Sequence, residues 1–191
     1  MDFRFKLMLF YRINGSSKKM YAAEIINEFR NGNQDILIDN ESSTIDFIYN
    51  GVSHISSNWN LGKPAWLLPQ LKDAVDKITA KELVLVRSAV IEGSEIPYLV
   101  FEPNDNNVII SMIVFDNYEI EQIFPSGPFA ENKAELYSYF NANKSALYNQ
   151  IDEVTKSTPG HTETFKGCEV YAGDLLENLE VMILEIEQLF V

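Results

Sequence analysis

The chain has 191 residues, of which 46% are hydrophobic, 12% aromatic and 23% charged. That composition excludes disorder, collagen-like repeats and low-complexity architectures, and the length suits one domain with a real core. Twenty-eight acidic residues against fifteen basic ones leave a net charge of −13, a field that repels nucleic-acid backbones and anionic headgroups and attracts a basic partner.

In chain order, FRFKLMLFYRI (3–13) places Phe3, Phe5, Leu7, Leu9 and Tyr11 on one side at period two, which predicts a strand with a partly buried second face. Asn14 to Ser17 reads as a turn. Met20 to Phe29 has helical spacing and stops at Asn31-Gly32, so the first unit is expected to be strand, loop, helix. Asp35 to Asp39 and Thr44 to Tyr49 read as strands, and Asn50-Gly51 is a hairpin signal because both residues tolerate positive φ. Pro64 suits a first helical turn, followed by Leu67, Leu68, Leu71, Val75 and Ile78 on one face. Pro69 lies early enough in that helix to be tolerated. Residues 82–124 carry four short strands, ELVLVRSAVI, IPYLVFE, NVIISMIVF and YEIEQIF, whose tight connections predict an antiparallel meander. A helix is expected over 129–157 and a last one starting at Asp174 as N-cap, with Glu177 as its capping-box partner.

The predicted fold is α+β: a largely antiparallel sheet of two meanders, with helices packed on one face and a C-terminal helix. Residues 1–158 form a single α+β domain. Residues 159–191 are a loop and the C-terminal helix, docked on that domain, and 155–173 is the least periodic stretch. No internal repeat is evident. The N-terminus lacks the apolar h-region and cleavage site of a signal peptide. No apolar run approaches the roughly 20 residues of a membrane helix, and the single cysteine, Cys168, excludes an internal disulfide. The expectation is a cytoplasmic protein without membrane contact.

No catalytic constellation emerges. Cys168 would need His54 or His161 as a base, and its plainer reading is a small buried hydrophobe. Two histidines and one cysteine offer no zinc spacing, and Asn104 to Asn107 fails the EF-hand pattern and reads as a hairpin turn. Glu24 with Glu28, Asp73 with Asp76, and Glu119 with Glu121 are paired carboxylates, but a solvated surface produces the same spacings. Gly15-Ser16-Ser17-Lys18-Lys19 lacks the second glycine of a phosphate cradle, and Ser16 or Ser17 as a helix N-cap explains the same residues. The predicted site therefore has no catalytic residue, no cofactor and no metal.

Charge is uneven along the chain. Residues 1–20 hold Arg4, Lys6, Arg12, Lys18 and Lys19 against Asp2, whereas 163–191 hold seven carboxylates against Lys166. Either the ends pair with each other as marginal surface ion pairs, or the acid excess forms a face that captures a basic protein.

The layout of FRFKLMLF, then IDFIYNGVSHI, then WLLPQLKDAV, then a meander and helices resembles small acidic bacterial immunity-type proteins of uncharacterised families, some of which neutralise secreted toxins. The resemblance covers roughly residues 1 to 150, rests on order and spacing, and carries over no functional residue. Together with the charge of −13 and the lack of a catalytic constellation, the leading expectation is a non-enzymatic module whose acidic surface occludes a basic toxin, and the charge argues against nucleic acid as partner. Candidate contacts are Trp59, Trp66, Asp73, Asp76, Glu119 and Glu121, because hot spots favour aromatic anchors among complementary charge; core packing is the plainer role for both tryptophans. The alternatives are an enzyme or ligand binder with a cleft between sheet and helices, or a homo-oligomer that buries the apolar face of the C-terminal helix, Met182 to Phe190.

Overall fold

The computed structural model describes residues 3–53, 62–87, 95–116, 133–157 and 165–191. Strand β1 (Phe3–Ile13) has the expected alternation, with Phe5, Leu7, Leu9 and Tyr11 buried. Asn14 (φ 49°) and Gly15 (φ 79°) then turn the chain, and β2 (Ser16–Tyr21) pairs antiparallel with β1 from Ile13↔Ser16 to Met8↔Tyr21. This corrects the expected turn over Asn14 to Ser17 leading to a helix from Met20: the turn is Asn14-Gly15 alone and Met20 and Tyr21 are still strand. Two consecutive left-handed residues make the tight turn that matches strand twist, so these serines and lysines form a polar edge strand, neither a helix cap nor a phosphate cradle.

Helix α1 (Ala22–Arg30) follows without a loop. Tyr21 is its extended N-cap, and the Tyr21 amide donates to Glu24 Oε2 at 3.2 Å. The two strands expected between Asp35 and Tyr49 are one, β3 (Leu37–Tyr49), paired with β1 and interrupted by a bulge opposite Leu9 to Tyr11. Asn50 (φ 50°) and Gly51 (φ 76°) make the predicted hairpin to β4 (Val52–Ser53). These strands form sheet A, in the order β2-β1-β3-β4.

Helix α2 (Pro64–Thr79) starts on Pro64 and buries Leu67, Leu71, Ala74 and Ile78. Pro69 lies within it, where its missing amide leaves out one intrahelical hydrogen bond, to the Ala65 carbonyl near the helix start. Sheet B is antiparallel in the order β5 (Val84–Arg87), β6 (Glu95–Asn104), β7 (Asn107–Asp116), β8 (Phe165–Tyr171). The strand expected at YEIEQIF lies outside the described residues. The fourth strand of sheet B comes instead from the segment expected to be an aperiodic loop. Its period is broken by Gly167 (φ 76°) at a bulge opposite Ile110 to Met112. The Gly167 amide there donates to the buried Ser111 Oγ at 3.2 Å, so the bulge leaves no orphan donor.

Helices α3 (Lys133–Ser157) and α4 (Ala172–Phe190) complete the described elements. The expected N-cap at Asp174 is corrected: α4 begins at Ala172 with Tyr171 as N-cap. Tyr171 is still paired in β8 with Asn107, and the Ala172 amide donates to the Asn106 carbonyl at 3.0 Å. The chain passes straight from strand to helix, as it does at Tyr21-Ala22. The two junctions read Tyr-Ala-Ala-Glu-Ile-Ile and Tyr-Ala-Gly-Asp-Leu-Leu, so one local device is used twice where no repeat was expected.

The main apolar cluster joins both sheets with α1, α2 and α4, including Phe5, Phe47, Leu71, Phe101, Ile110, Leu175, Leu179 and Ile186. Phe5 of sheet A meets Phe101 of sheet B edge to face, with centroids 6.1 Å apart. A second cluster lies on the opposite face of sheet B, where Leu85, Tyr98, Val100 and Ile113 meet Phe140, Leu147 and Tyr148 of α3. Helices therefore cover sheet B on both faces, beyond the single helix-bearing face expected. Among the described residues none on the outer face of sheet A belongs to either cluster, although Thr44 on that face is fully buried.

Candidate functional site

The candidate surface starts at the bulge in β3. By displacing residues 39–42 from the ladder, the bulge lets the Asp39 carboxylate accept from the Glu41 amide at 2.9 Å and sends Glu41 out to Lys63, with Nζ to Oε2 at 2.6 Å. Next along β3, the buried Ser43 hydroxyl donates to the Gly62 carbonyl at 2.8 Å. These contacts fix the entry to α2. The Lys63 ammonium lies 5.0 Å from the centroid of the Trp66 ring, a cation–π contact that orients the indole.

Trp66 is 48% exposed. Core packing, the plainer expectation for it, is thereby corrected. Its neighbour Leu67 is the residue that faces the core, and one step round the helix turns Trp66 outward. At about 100° per residue, Asp73 falls roughly 20° from Trp66 around the axis and Asp76 roughly 80°. The structure therefore brings Trp66 and Asp73 onto one stripe, about 10 Å apart along the helix, with Asp76 on its flank. Trp59, Glu119 and Glu121 lie outside the described residues.

The stripe is anchored to sheet B. Gln70, between Trp66 and Asp73, accepts from the Arg87 amide at 2.8 Å and donates to the Arg87 carbonyl at 3.4 Å, closing the backbone of edge strand β5. Asp73 pairs with Lys77 at 3.5 Å, and Lys77 lies 4.5 Å from the ring centroid of Tyr137 on α3. The Tyr137 hydroxyl accepts from the Leu85 amide at 2.9 Å. Neither contact was legible in sequence, because α2, β5 and α3 meet only in the fold.

Beside α2 runs α4. Lys72 pairs with Glu187 at 2.6 Å, while the far end of α2 (Ile78, Thr79) lines a cavity of about 160 Å³ with Ala172, Gly173 and Leu176; the two helices are thus antiparallel. The apolar face of α4 is spent inside the chain, with Leu175, Leu179, Met182 and Ile186 buried. This corrects the expected burial of Met182 to Phe190 in a partner subunit. Glu177 and Glu180 face solvent. The acidic end thus packs its apolar side on the core, with Glu187 paired to Lys72 and Glu185 half-buried within reach of the Lys6 charge of β1, while Arg4 of β1 pairs with Asp46 at 3.3 Å.

The remaining described candidates for chemistry have structural surroundings, and His54 and His161 lie outside the described residues. Burial pushes the Cys168 thiol up to about 11, which keeps it protonated and unreactive at neutral pH. Glu24 caps α1, and Glu28 accepts from Asn33 Nδ2 at 2.9 Å. Asn104 and Asn107 donate to Glu169 across sheet B at 2.8 and 3.1 Å, and Asp105 (φ 55°) sits in the β6–β7 turn. Among the described residues no three His, Cys, Asp or Glu side chains gather as a metal site, and no helix is long and apolar enough to cross a membrane.

One polar group escaped the sequence reading. Glu102 of β6 accepts from both Lys144 and Tyr148, one turn apart on α3. Burial, and then the bond to Glu102, raise the Tyr148 phenol well above its ordinary value, so it is a fixed donor rather than a base. A charged residue among the α3-facing positions of β6, matched by a Lys and a Tyr four residues apart, was the available signal. Comparison of the chain with known protein families, with curated proteins and with solved structures gives no match.

Proposed function

We propose that this chain is a non-enzymatic protein-binding module of the cytoplasm that uses α2 and its acidic surroundings to capture a basic protein. The observation that carries the reading is Trp66: a large aromatic side chain held half exposed by Lys63 and Glu41, on one stripe with Asp73. An oriented indole amid complementary charge is the composition of an interface hot spot, and the net charge of −13 steers a cationic partner toward it. The finer form of the proposal, supported by the resemblance to immunity-type proteins, is that the partner is a basic toxin whose site is occluded.

Capture on the immobilised chain tests this, repeated with Trp66→Ala and with Asp73→Lys, Asp76→Lys. The reading expects a net-positive partner whose retention falls at least about tenfold between low and moderate salt and is lost in the charge-reversed variant. A partner retained equally by all three proteins at all salt concentrations would refute it.

A further inference from the structure

We propose that the cavity between the end of α2, the β6–β7 turn and the start of α4 binds a small zwitterion, an α-amino acid with an apolar side chain. Its volume of about 160 Å³ has room for a molecule of roughly ten non-hydrogen atoms. Ile78, Val108 and Leu176 line it with apolar surface, and Lys81 and Asp105 line it with opposite charges. Lys81 and Asp105 are exposed, so the cavity opens to solvent, and its lining segments 78–81, 103–108 and 171–176 lie inside described stretches of the chain. Each of the two charges sits on a left-handed turn residue (φ 58° and 55°). Among the described residues no ion pair or side-chain hydrogen bond engages either of them.

Tyr171, which also lines the cavity, supplies an aromatic side. It is 57% exposed, and a Cβ on Gly173 would lie 2.6 Å from its ring, so the glycine lets the ring rest against the start of α4. The twin junction is built otherwise. Ala23 stands at the corresponding position, and the Tyr21 hydroxyl is spent on Asp46 and Arg4. Tyr21 is tied into sheet A, whereas Tyr171 offers ring surface to an ammonium. A zwitterion satisfies the whole set: its carboxylate pairs with Lys81, its ammonium with Asp105 and the Tyr171 ring, and its side chain covers the apolar lining. A plain anion would meet Asp105 and the net charge of −13, and a plain cation would meet Lys81. Trp66 lies roughly 18 Å along α2 from Ile78, so ligand binding here and partner capture there can fail independently.

Titration of the full chain with L-leucine, followed by amide NMR shifts, tests it. Saturable shifts are expected in 78–81, 103–108 and 171–176, with a Kd of about 1 mM, as suits so small and open a site. N-acetyl-L-leucine, which lacks the ammonium, and L-leucinamide, which lacks the carboxylate, should each bind about fivefold more weakly. Lys81→Asn and Asp105→Asn keep a residue that tolerates a left-handed turn. Each should weaken L-leucine by about fivefold, and Lys81→Asn should erase the preference for L-leucine over L-leucinamide. Gly173→Ala displaces the Tyr171 ring and should weaken binding by about threefold without lowering the melting temperature, since alanine suits a helix better than glycine. Three results would overturn the proposal: no shift in these segments at tens of millimolar L-leucine; both analogues bound as tightly as L-leucine, which marks a merely apolar cavity; and Gly173→Ala binding L-leucine as wild type does.

Discussion

Sheets A and B are each antiparallel, and each ends on an edge strand that hands the chain to a helix through a Tyr-Ala junction. Their surroundings differ. Sheet B is apolar on both faces, with Val84, Val86, Leu99 and Phe101 toward the shared core and Leu85, Tyr98 and Val100 toward α3. Sheet A spends Phe5, Leu7 and Leu9 on that core and turns Arg4, Lys6 and Arg12 the other way. Alternation along a strand decides this: one apolar residue in two builds a one-sided sheet, and a near-continuous apolar run builds a two-sided one. The difference teaches where recognition can occur. Sheet B is scaffold, whereas among the described residues the exposed positions Lys6, Arg12 and Leu37 of sheet A and the solvent side of the helices carry the available surface.

The largest expected effect comes from the contact that joins the sheets. Phe101→Ala removes a fully buried ring packed on Phe5 and should cost about 4 kcal/mol in urea titrations, with both sheets unfolding in one transition; separate transitions would break the view of one shared core. Phe140→Ala, on the α3 side of sheet B, should cost about 3 kcal/mol. Its effect on amide exchange should appear in β5 to β7 and spare β1 to β3.

Smaller effects sharpen the comparison. Tyr148→Phe deletes one hydrogen bond to Glu102 and should cost about 1 kcal/mol by thermal melting. Glu185 is the titrating group on the sheet A side. Burial pushes its carboxyl up from 4.5 to about 7, partly offset by Lys6. Between those two values the folded chain holds a proton that the unfolded chain releases, so stability falls as pH rises through that window and levels off above it. Glu185→Gln should flatten this slope and stabilise the protein above pH 7 by about 1 kcal/mol, a figure reduced for partial exposure; melts at several pH values check it. Arg12→Glu, at an exposed position of β1, should change stability by less than about 0.5 kcal/mol.

The same contrast explains what was legible in sequence. β1, the Asn50-Gly51 hairpin and α2 announce themselves because apolar period, turn chemistry and Pro64 agree locally. β2 was hidden because Ser-Ser-Lys-Lys is polar on both faces and gains its place chiefly from the backbone of β1, with Lys19 over the Phe10 ring; lysines on an edge also discourage further pairing. β8 was hidden by the bulge at Gly167. Of the candidate contacts, the charge of Asp73 and Asp76 was readable, but the fixed orientation of the Trp66 ring was not. It depends on Lys63 and Glu41, which a bulge in a distant strand brings together.

The most direct measurement is the amide-exchange footprint that a captured basic partner leaves on the chain at low salt. Capture through α2 predicts protection concentrated in 64–79, and its loss in Trp66→Ala. Protection confined to β1 and β2, or to α3, with 64–79 exchanging as in the free chain, would contradict it.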